Sequence, residues 1–201
     1  MRIVFMRHAR AQSQVDSTRI AGRSHGAPLT EDGRRHADKL AWEAQDLRFS
    51  SLHVSSCRRT LETAAPLADA LALTAQPTDL LVERSHGAFE GRLKSEVYTD
   101  EVVAEIHADQ WRWSPPGGET LEEVAARVHQ WVTTLDHSAQ LPVLAVSHLM
   151  VMWSVFGLCT GCDHRILPKL KVANGAVIEV EARDGELLLQ RWNAPLADTT
   201  T

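Results

Sequence analysis

The 201-residue chain has few cysteines, no excess of basic residues and no long hydrophobic run. A formal net charge of −5 argues against general nucleic-acid binding, which normally needs a basic surface. The longest apolar segment, residues 149–158, is too short to span a bilayer, and no signal-peptide pattern follows Met1. We therefore expect a soluble, cytoplasmic protein that binds neither membrane nor nucleic acid.

The three cysteines give no metal or disulfide framework. Cys159 and Cys162 lie close together with His164 nearby, but the second pair of ligands that a four-ligand zinc site needs does not occur. These two residues are predicted to be reduced thiols in a turn. No metal and no cofactor is expected.

Two short polar clusters follow directly after apolar runs that predict buried strands. The runs cover residues 3–6 and 143–146, and they are followed by Arg7-His8 and Ser147-His148. Continuous apolar runs are typical of parallel strands that helices cover on both faces. Ligands of such sheets bind beyond the carboxyl ends of the strands. Both clusters are therefore predicted to face one ligand crevice.

Helical patterns alternate with these strands. Thr30 is the predicted N-cap of a first helix, and Thr120 opens another with a capping-box pattern. Between them, a strand near residues 52–54 precedes a helix in which Pro66 predicts a kink or break. The predicted buried face of that helix consists of Leu61, Ala64, Ala65, Ala68 and Leu71.

The remaining segments complete the predicted architecture. Residues 80–82 suggest a short strand, and two alternating runs joined at Asp184-Gly185 predict a β-hairpin. Residues from about 83 to 118 lose regular periodicity, which is typical of an insertion or lid. We predict one α/β domain over residues 1–201, a three-layer sandwich with a mostly parallel mixed sheet flanked by helices.

Three arginines suit a phosphate site. Arg7 offers a planar fork that matches two phosphate oxygens. Arg58 and Arg59 fall in the first turn of a predicted helix, where basic side chains oppose the helix dipole unless an anion binds there. The alternative is that they pair with Glu62 or another nearby acid.

His8 and His148 could be structural, zinc-binding or catalytic. No His-x-His or His-Glu-x-x-His motif occurs, and their shared position at strand ends favours catalysis. Glu83 follows an apolar run and could project into the same crevice. A partly desolvated carboxyl group beside a phosphate would have a raised pKa and could act as a general acid.

An ordered set of motifs resembles the histidine phosphatase (phosphoglycerate mutase-like) superfamily. The matching segments are Arg7-His8-Ala9, Pro28-Leu29-Thr30-Glu31-Asp32-Gly33, Ser55 to Ala64, Glu83 to Gly91, Pro116-Gly117-Gly118-Glu119-Thr120 and Val146-Ser147-His148. The alignment selects Arg59 as the second phosphate-binding arginine. Ala9 replaces the family's glycine, and Gln14 stands where many members have asparagine.

The resemblance implies a phosphohistidine mechanism that needs no metal. His8 would attack phosphorus, with the equatorial oxygens held by Arg7, Arg59 and His148. Glu83 would protonate the leaving alcohol and then activate water. The resemblance also implies that Gln14, Gly22 and Arg84 bind substrate.

Three functions remain open at this point. The leading hypothesis is a phosphomonoesterase that acts on a small-molecule phosphate ester. Residues 83–94 resemble the corresponding mutase segment, which keeps a phosphoglycerate mutase as the closest alternative. Against it, Leu149-Met150 follows His148 where the mutase has Gly-Asn. A non-catalytic phosphate-binding module, supported by Ala9 alone, is the third; the oligomeric state is not predicted.

Overall fold

A computed structural model describes residues 1–199 as alternating strands and helices. The strands are β1 (Arg2–Arg7), β2 (Ser51–Ser55), β3 (Ala75–Thr78), β4 (Val143–Ser147), β5 (Val177–Arg183) and β6 (Glu186–Ala194). The α-helices are α1 (Glu31–Ala44), α2 (Arg58–Leu71), α3 (Lys94–Val97), α4 (Asp100–Ala108), α5 (Leu121–Thr133) and α6 (Leu149–Thr160).

All six strands form one mixed sheet in the order β3-β2-β4-β1-β5-β6. The strands β3, β2, β4 and β1 run parallel to one another, whereas β5 and β6 are antiparallel additions. In the β1–β4 pair, Arg7 lies opposite Ser147. The residues that follow these two strands therefore emerge side by side at one edge of the sheet.

The two faces of the sheet bury two separate hydrophobic clusters because successive strand residues point to opposite faces. Val4 and Met6 of β1 pack in the cluster that includes α1 and α2. Ile3 and Phe5 pack in the cluster that includes α5 and α6. The predicted three-layer α/β sandwich is confirmed.

Several local predictions are confirmed as well. Thr30 caps α1 by accepting a hydrogen bond from the Gly33 amide, and Thr120 opens α5 with a capping box. The turn between β5 and β6 has positive φ angles of 53° at Asp184 and 82° at Gly185, as a tight hairpin requires. Cys57, Cys159 and Cys162 are free thiols, but Cys159 lies in α6 and not in the predicted turn.

Other local predictions are wrong. Residues 80–82 do not form a strand: Asp79–Leu81 is a 3₁₀ turn, and the strand lies earlier, at Ala75–Thr78. Thr78 initiates that turn by accepting a hydrogen bond from the Leu80 amide.

The predictions for α2 also need correction. The helix runs through Pro66 without a break, so the predicted break is wrong, and a kink there stays a prediction. Leu61 and Ala65 are exposed rather than buried. The buried residues of the helix are Arg59, Thr60, Thr63, Ala64 and Leu67.

Residues 83–118, here called the lid segment, contain α3, α4 and a short 3₁₀ turn at Gly87–Phe89. Phe89 and Val97 pack with Ile20 in a small cluster separate from the two clusters of the sheet. The segment thus lies outside the sheet layers, over the loops at one edge. Over residues 1–199, no helix combines the length and the apolarity needed to cross a bilayer. The single-domain boundary, residues 1–201, stays a prediction, and its last two residues lie outside the described part.

Candidate active site

The carboxyl ends of β1 and β4 bring two histidines together. His8 follows β1 and His148 follows β4, and their ring centroids are 5.1 Å apart in an edge-on arrangement. The adjacent strand β2 ends at Ser55, and α2 begins beside the same edge. The predicted convergence of strand-end residues is therefore observed.

The hydrogen-bond partners of His8 indicate that its imidazole is neutral. Nδ1 lies 2.7 Å from the carbonyl oxygen of Ala9, which can only accept, so Nδ1 carries the proton. Nε2 accepts a hydrogen bond of 3.2 Å from Nε of Arg59, so it carries a lone pair. Burial, and then the positive charge of Arg59, hold the pKa of His8 well below its usual value. His8 is therefore a neutral imidazole with a free nucleophilic nitrogen.

Arg59 lies at the centre of the cluster. Its Nη1 donates to the carbonyl oxygens of Arg23 (2.7 Å) and Ser24 (3.1 Å). Its Nη2 lies 3.0 Å from Nδ1 of His148. The adjacent Arg58 points outward and pairs with Glu62 at 2.6 Å. Arg58 thus forms the predicted ion pair and Arg59 lies in the site, while anion binding by Arg59 stays a prediction.

His148 lies behind Arg59 and is fully buried. Because the guanidinium of Arg59 can only donate, Nδ1 of His148 accepts. Nε2 then carries the proton and donates to Oγ of Ser55 at 2.7 Å. Burial, followed by the charge of Arg59, holds the pKa of His148 well below its usual value. His148 does not line the cavity in this arrangement, so direct contact between this residue and substrate stays a prediction.

Arg7 supplies the second guanidinium. Its Nη1 donates to the carbonyl oxygen of Val172 at 2.5 Å. Its buried Nε has no hydrogen-bond partner among the described residues. Such a group is costly unless something pairs with it, and a phosphate oxygen would do so.

Glu83 lines the same cavity. Its Oε1 accepts hydrogen bonds from the backbone amides of Arg84 (3.0 Å) and Met150 (3.1 Å), the latter at the N-terminus of α6. Burial raises the pKa of Glu83, although the charge of Arg59 opposes this shift. A raised pKa favours the protonated carboxyl group, which is the form that a general acid needs.

The predicted substrate-binding residues Gln14, Gly22 and Arg84 all line the cavity. Oε1 of Gln14 accepts from the Ala11 amide at 2.9 Å, and the Arg84 guanidinium donates to two backbone carbonyl oxygens. Both side chains therefore already support the cavity wall. Contact between any of the three and substrate stays a prediction.

Ala9 does not crowd the cavity. Its side chain is buried in a small cluster with Ala11, Leu29 and Ala37, and it does not contribute to the cavity lining. The Ala9 amide donates to Oγ1 of Thr63. The extra methyl group therefore packs on the side away from the phosphate position.

Sequence reasoning missed two residues that support the site. The Arg23 guanidinium contacts the carbonyl oxygen of Glu83 (3.1 Å) and a carboxylate oxygen of Glu119 (2.8 Å). Its backbone carbonyl also holds Arg59. Glu119 lies in the quoted Pro-Gly-Gly-Glu motif, which was a signal, but no sequence pattern marks Arg23.

The cavity has a volume of about 620 Å³ and combines this polar cluster with an apolar region. Among residues 1–199, no group of three or more histidine, cysteine or acidic side chains is placed to hold a metal ion. Arg7 and Arg59 instead form a positively charged pocket around His8. The arrangement can hold a phosphoryl group against a nucleophilic nitrogen, with a carboxylic acid beside it.

Comparison with known proteins gives consistent matches. The sequence profile of the histidine phosphatase superfamily (branch 1) matches residues 3–195. A probable phosphoglycerate mutase, GpmB of Yersinia pestis, is 28% identical over 187 residues, covering 87% of this chain and 82% of the relative. A mycobacterial glucosyl-3-phosphoglycerate phosphatase matches with a TM-score of 0.82 at 23% identity, covering 96% of this chain and 98% of that chain. The alpha-ribazole phosphatase of Shigella flexneri has a TM-score of 0.78 at 22% identity, covering 96% of each chain. These structures share the fold of this chain.

Proposed function

Because the chain belongs to the histidine phosphatase superfamily (branch 1), as its ordered motifs predicted, we propose that it is a metal-independent phosphomonoesterase. It hydrolyses a small phosphorylated metabolite through a phosphohistidine intermediate. The observation that carries this proposal is the hydrogen bonding of His8, with Ala9 at Nδ1 and Arg59 at Nε2. Its Nε2 has a lone pair inside a cavity that two arginines line.

In the first step, Nε2 of His8 attacks phosphorus and forms the P–N bond while the ester P–O bond breaks. The leaving oxygen takes the proton of Glu83, and the product alcohol departs. Arg7 and Arg59 neutralise the equatorial oxygens, which are the atoms that gain charge in the transition state. Phosphate binding frees Nε2 for attack because a phosphate oxygen is the stronger acceptor for the Nε–H of Arg59.

In the second step, the Glu83 carboxylate takes a proton from water as the water oxygen attacks phosphorus. The P–N bond breaks, inorganic phosphate forms and neutral His8 returns. His148 positions Arg59, because its Nδ1 accepts from that guanidinium. The predicted contact of His148 with an equatorial oxygen would be an additional role.

A phosphoglycerate mutase is the second candidate, favoured by the similarity to a relative of that name. The two activities differ in product. A mutase converts 3-phosphoglycerate into 2-phosphoglycerate, whereas a phosphatase releases only inorganic phosphate. Incubation with 3-phosphoglycerate and quantification of both products separates them. A binding module without catalytic activity would release no phosphate from this or any other ester.

The His8→Ala variant tests the proposed nucleophile. We expect loss of phosphate release and loss of covalent labelling by ³²P-labelled substrate, with His129→Gln as the matched control because His129 is exposed on α5. Turnover or labelling that survives in His8→Ala would exclude this nitrogen as the nucleophile.

The Glu83→Gln variant tests the proposed acid. It should slow hydrolysis of alkyl phosphates far more than that of p-nitrophenyl phosphate, whose leaving group needs no proton. Equal losses on both substrates would contradict the acid role.

A further inference from the structure

The cavity that holds Arg7, His8 and Arg59 is also lined by apolar residues. We define the apolar wall as Ile106, Trp113, Leu149, Met150, Trp153 and Pro168. Building on the proposed function, we infer that the alcohol part of the substrate carries an apolar or aromatic group that packs on this wall. The enzyme therefore prefers bulky apolar phosphate monoesters to small hydrophilic ones such as phosphoglycerates.

The apolar wall lies on the leaving-group side of the site. The backbone amide of Met150 donates to Oε1 of Glu83, the group proposed to protonate the ester oxygen. The start of the Met150 side chain therefore lies near the Glu83 carboxyl group, on the side of Oε1. Trp153 lies one helical turn beyond Leu149 and Met150, on the same part of α6. An alcohol that leaves toward Glu83 therefore contacts this apolar surface.

The two tryptophans present their apolar rings to the cavity because their polar atoms are already paired. Nε1 of Trp153 donates to the carbonyl oxygen of Leu170 at 3.0 Å. Nε1 of Trp113 donates to a carboxylate oxygen of Glu105 at 3.2 Å. Neither indole N–H is available to a substrate, so the surface they offer suits hydrocarbon or an aromatic ring.

The cations near this wall already have partners in the protein. Arg84 donates through Nε and Nη2 to the carbonyl oxygens of Glu119 (2.6 Å) and Trp113 (2.8 Å). Arg19, which also lines the cavity, pairs with Asp16 at 3.3 Å. A carboxylate next to the ester oxygen would lose water and compete with these contacts for an ion pair, which is unfavourable. Lys94 also lines the cavity but is exposed, so it suits a polar group at the solvent end of a long substrate.

The volume of the cavity supports the same substrate class. About 620 Å³ lies in the range of sites that enclose ligands of drug-like size. A three-carbon phosphate ester would leave most of this space to water and most of the wall uncovered. A larger apolar group would displace that water and bury the wall.

A homologous series of primary alkyl phosphates tests the inference. Ethyl, butyl and hexyl phosphates share nearly the same leaving-group pKa, so differences in kcat/KM report binding of the alkyl chain. Each buried methylene is expected to raise kcat/KM about fourfold, equivalent to about 0.8 kcal/mol. Hexyl phosphate should thus exceed ethyl phosphate by roughly two orders of magnitude, and 3-phosphoglycerate should be a poor substrate.

Variants of the apolar wall test whether its residues cause the preference for long alkyl chains. Met150→Asn and Trp153→Ala should each reduce the hexyl-to-ethyl ratio of kcat/KM by about tenfold. Leu188→Ala, on the exposed side of β6, should preserve the ratio. The ratio is internal to each variant, so partial loss of folded protein does not change it.

The outcomes distinguish the inference from the proposed function. Phosphate release with equal kcat/KM across the series overturns the preference for bulky apolar groups and leaves the phosphatase intact. A full ratio retained in both wall variants also overturns it, because the wall then makes no contact with the chain. Absence of phosphate release from every ester, together with no labelling of His8, instead refutes the phosphatase itself.

Discussion

Replacement of Gly22 by alanine should destabilise the protein and disturb the phosphate site together. Gly22 has a φ angle of +52°, and a Cβ built there would lie 2.4 Å from Cδ of Glu90. The Glu90 carboxylate accepts hydrogen bonds from the amides of Arg23 (3.2 Å) and His86 (3.0 Å). The carbonyl of Arg23 in turn holds Arg59. The new methyl group must therefore displace the carboxylate that positions this loop.

The expected cost has two parts. The left-handed backbone conformation disfavours a residue with a Cβ by about 1–2 kcal/mol. Displacement of Glu90 weakens hydrogen bonds to a charged acceptor, which contribute about 1.5–3 kcal/mol. Gly22→Ala should thus lower the free energy of unfolding by about 3–5 kcal/mol. A shift of about 1 Å at Arg59 should lower kcat/KM by about 100-fold.

Gly26→Ala is the matched control in the same loop. Gly26 does not have a positive φ, and no atom lies within 4 Å of a Cβ built there. That variant should be as stable as the parent or up to about 1 kcal/mol more stable, because alanine restricts the unfolded chain. Urea unfolding and kcat/KM on one ester measure both effects. Equal stability of the two variants would refute the steric argument at Gly22.

Three other predictions follow from the site. The first step needs the acid form of Glu83, whose pKa burial raises, so kcat/KM for an alkyl phosphate should fall tenfold per pH unit above that pKa. At low pH, kcat/KM should fall only well below pH 6.5, where His8 becomes protonated. A pH profile that lacks both decreases contradicts these assignments. Arg59→Met should lower kcat/KM by about 10³-fold. Arg58→Met should keep its activity, because it loses only an exposed ion pair worth less than about 1 kcal/mol. Similar losses of activity in both variants would refute the assignment of Arg59 to the phosphate site. Arg23→Met should lower kcat by about 10- to 100-fold, with partial rescue by added guanidinium, and no rescue would argue against a positioning role.

The parallel strands could be predicted because burial on both faces leaves a continuous apolar signature. β1 and β4 have four and five fully buried residues, so their runs stand out. β3 carries no such signature. It lies at the edge of the sheet, none of its residues is buried, and it contains Pro77, which an edge strand tolerates. An apolar run at residues 80–82 therefore drew the strand prediction to the wrong segment.

The candidate site could be predicted to the extent that strand ends determine it. His8 and His148 follow paired strands, and the register of that pair brings them together. Arg58 and Arg59 could not be separated by residue type, because both lie in the first turn of α2. Consecutive helical residues point about 100° apart, so only one of them can face the cavity. The contribution of Arg23 depends on a loop carbonyl and tertiary contacts, which have no local sequence pattern.

The charges of the site couple phosphate binding to the protonation of Glu83. Burial lowers the pKa of Arg7, the charge of Glu83 opposes this shift, and the charge of Arg59 adds to it. A phosphate dianion between the arginines would take over this role and repel the carboxylate. It would thereby raise the pKa of Glu83 further and favour the protonated acid that the first step requires. Transfer of that proton to the leaving alcohol then restores the carboxylate that water activation needs. The buried carboxyl group can serve both steps because the negative charge of the substrate phosphate favours its protonated form in the first step.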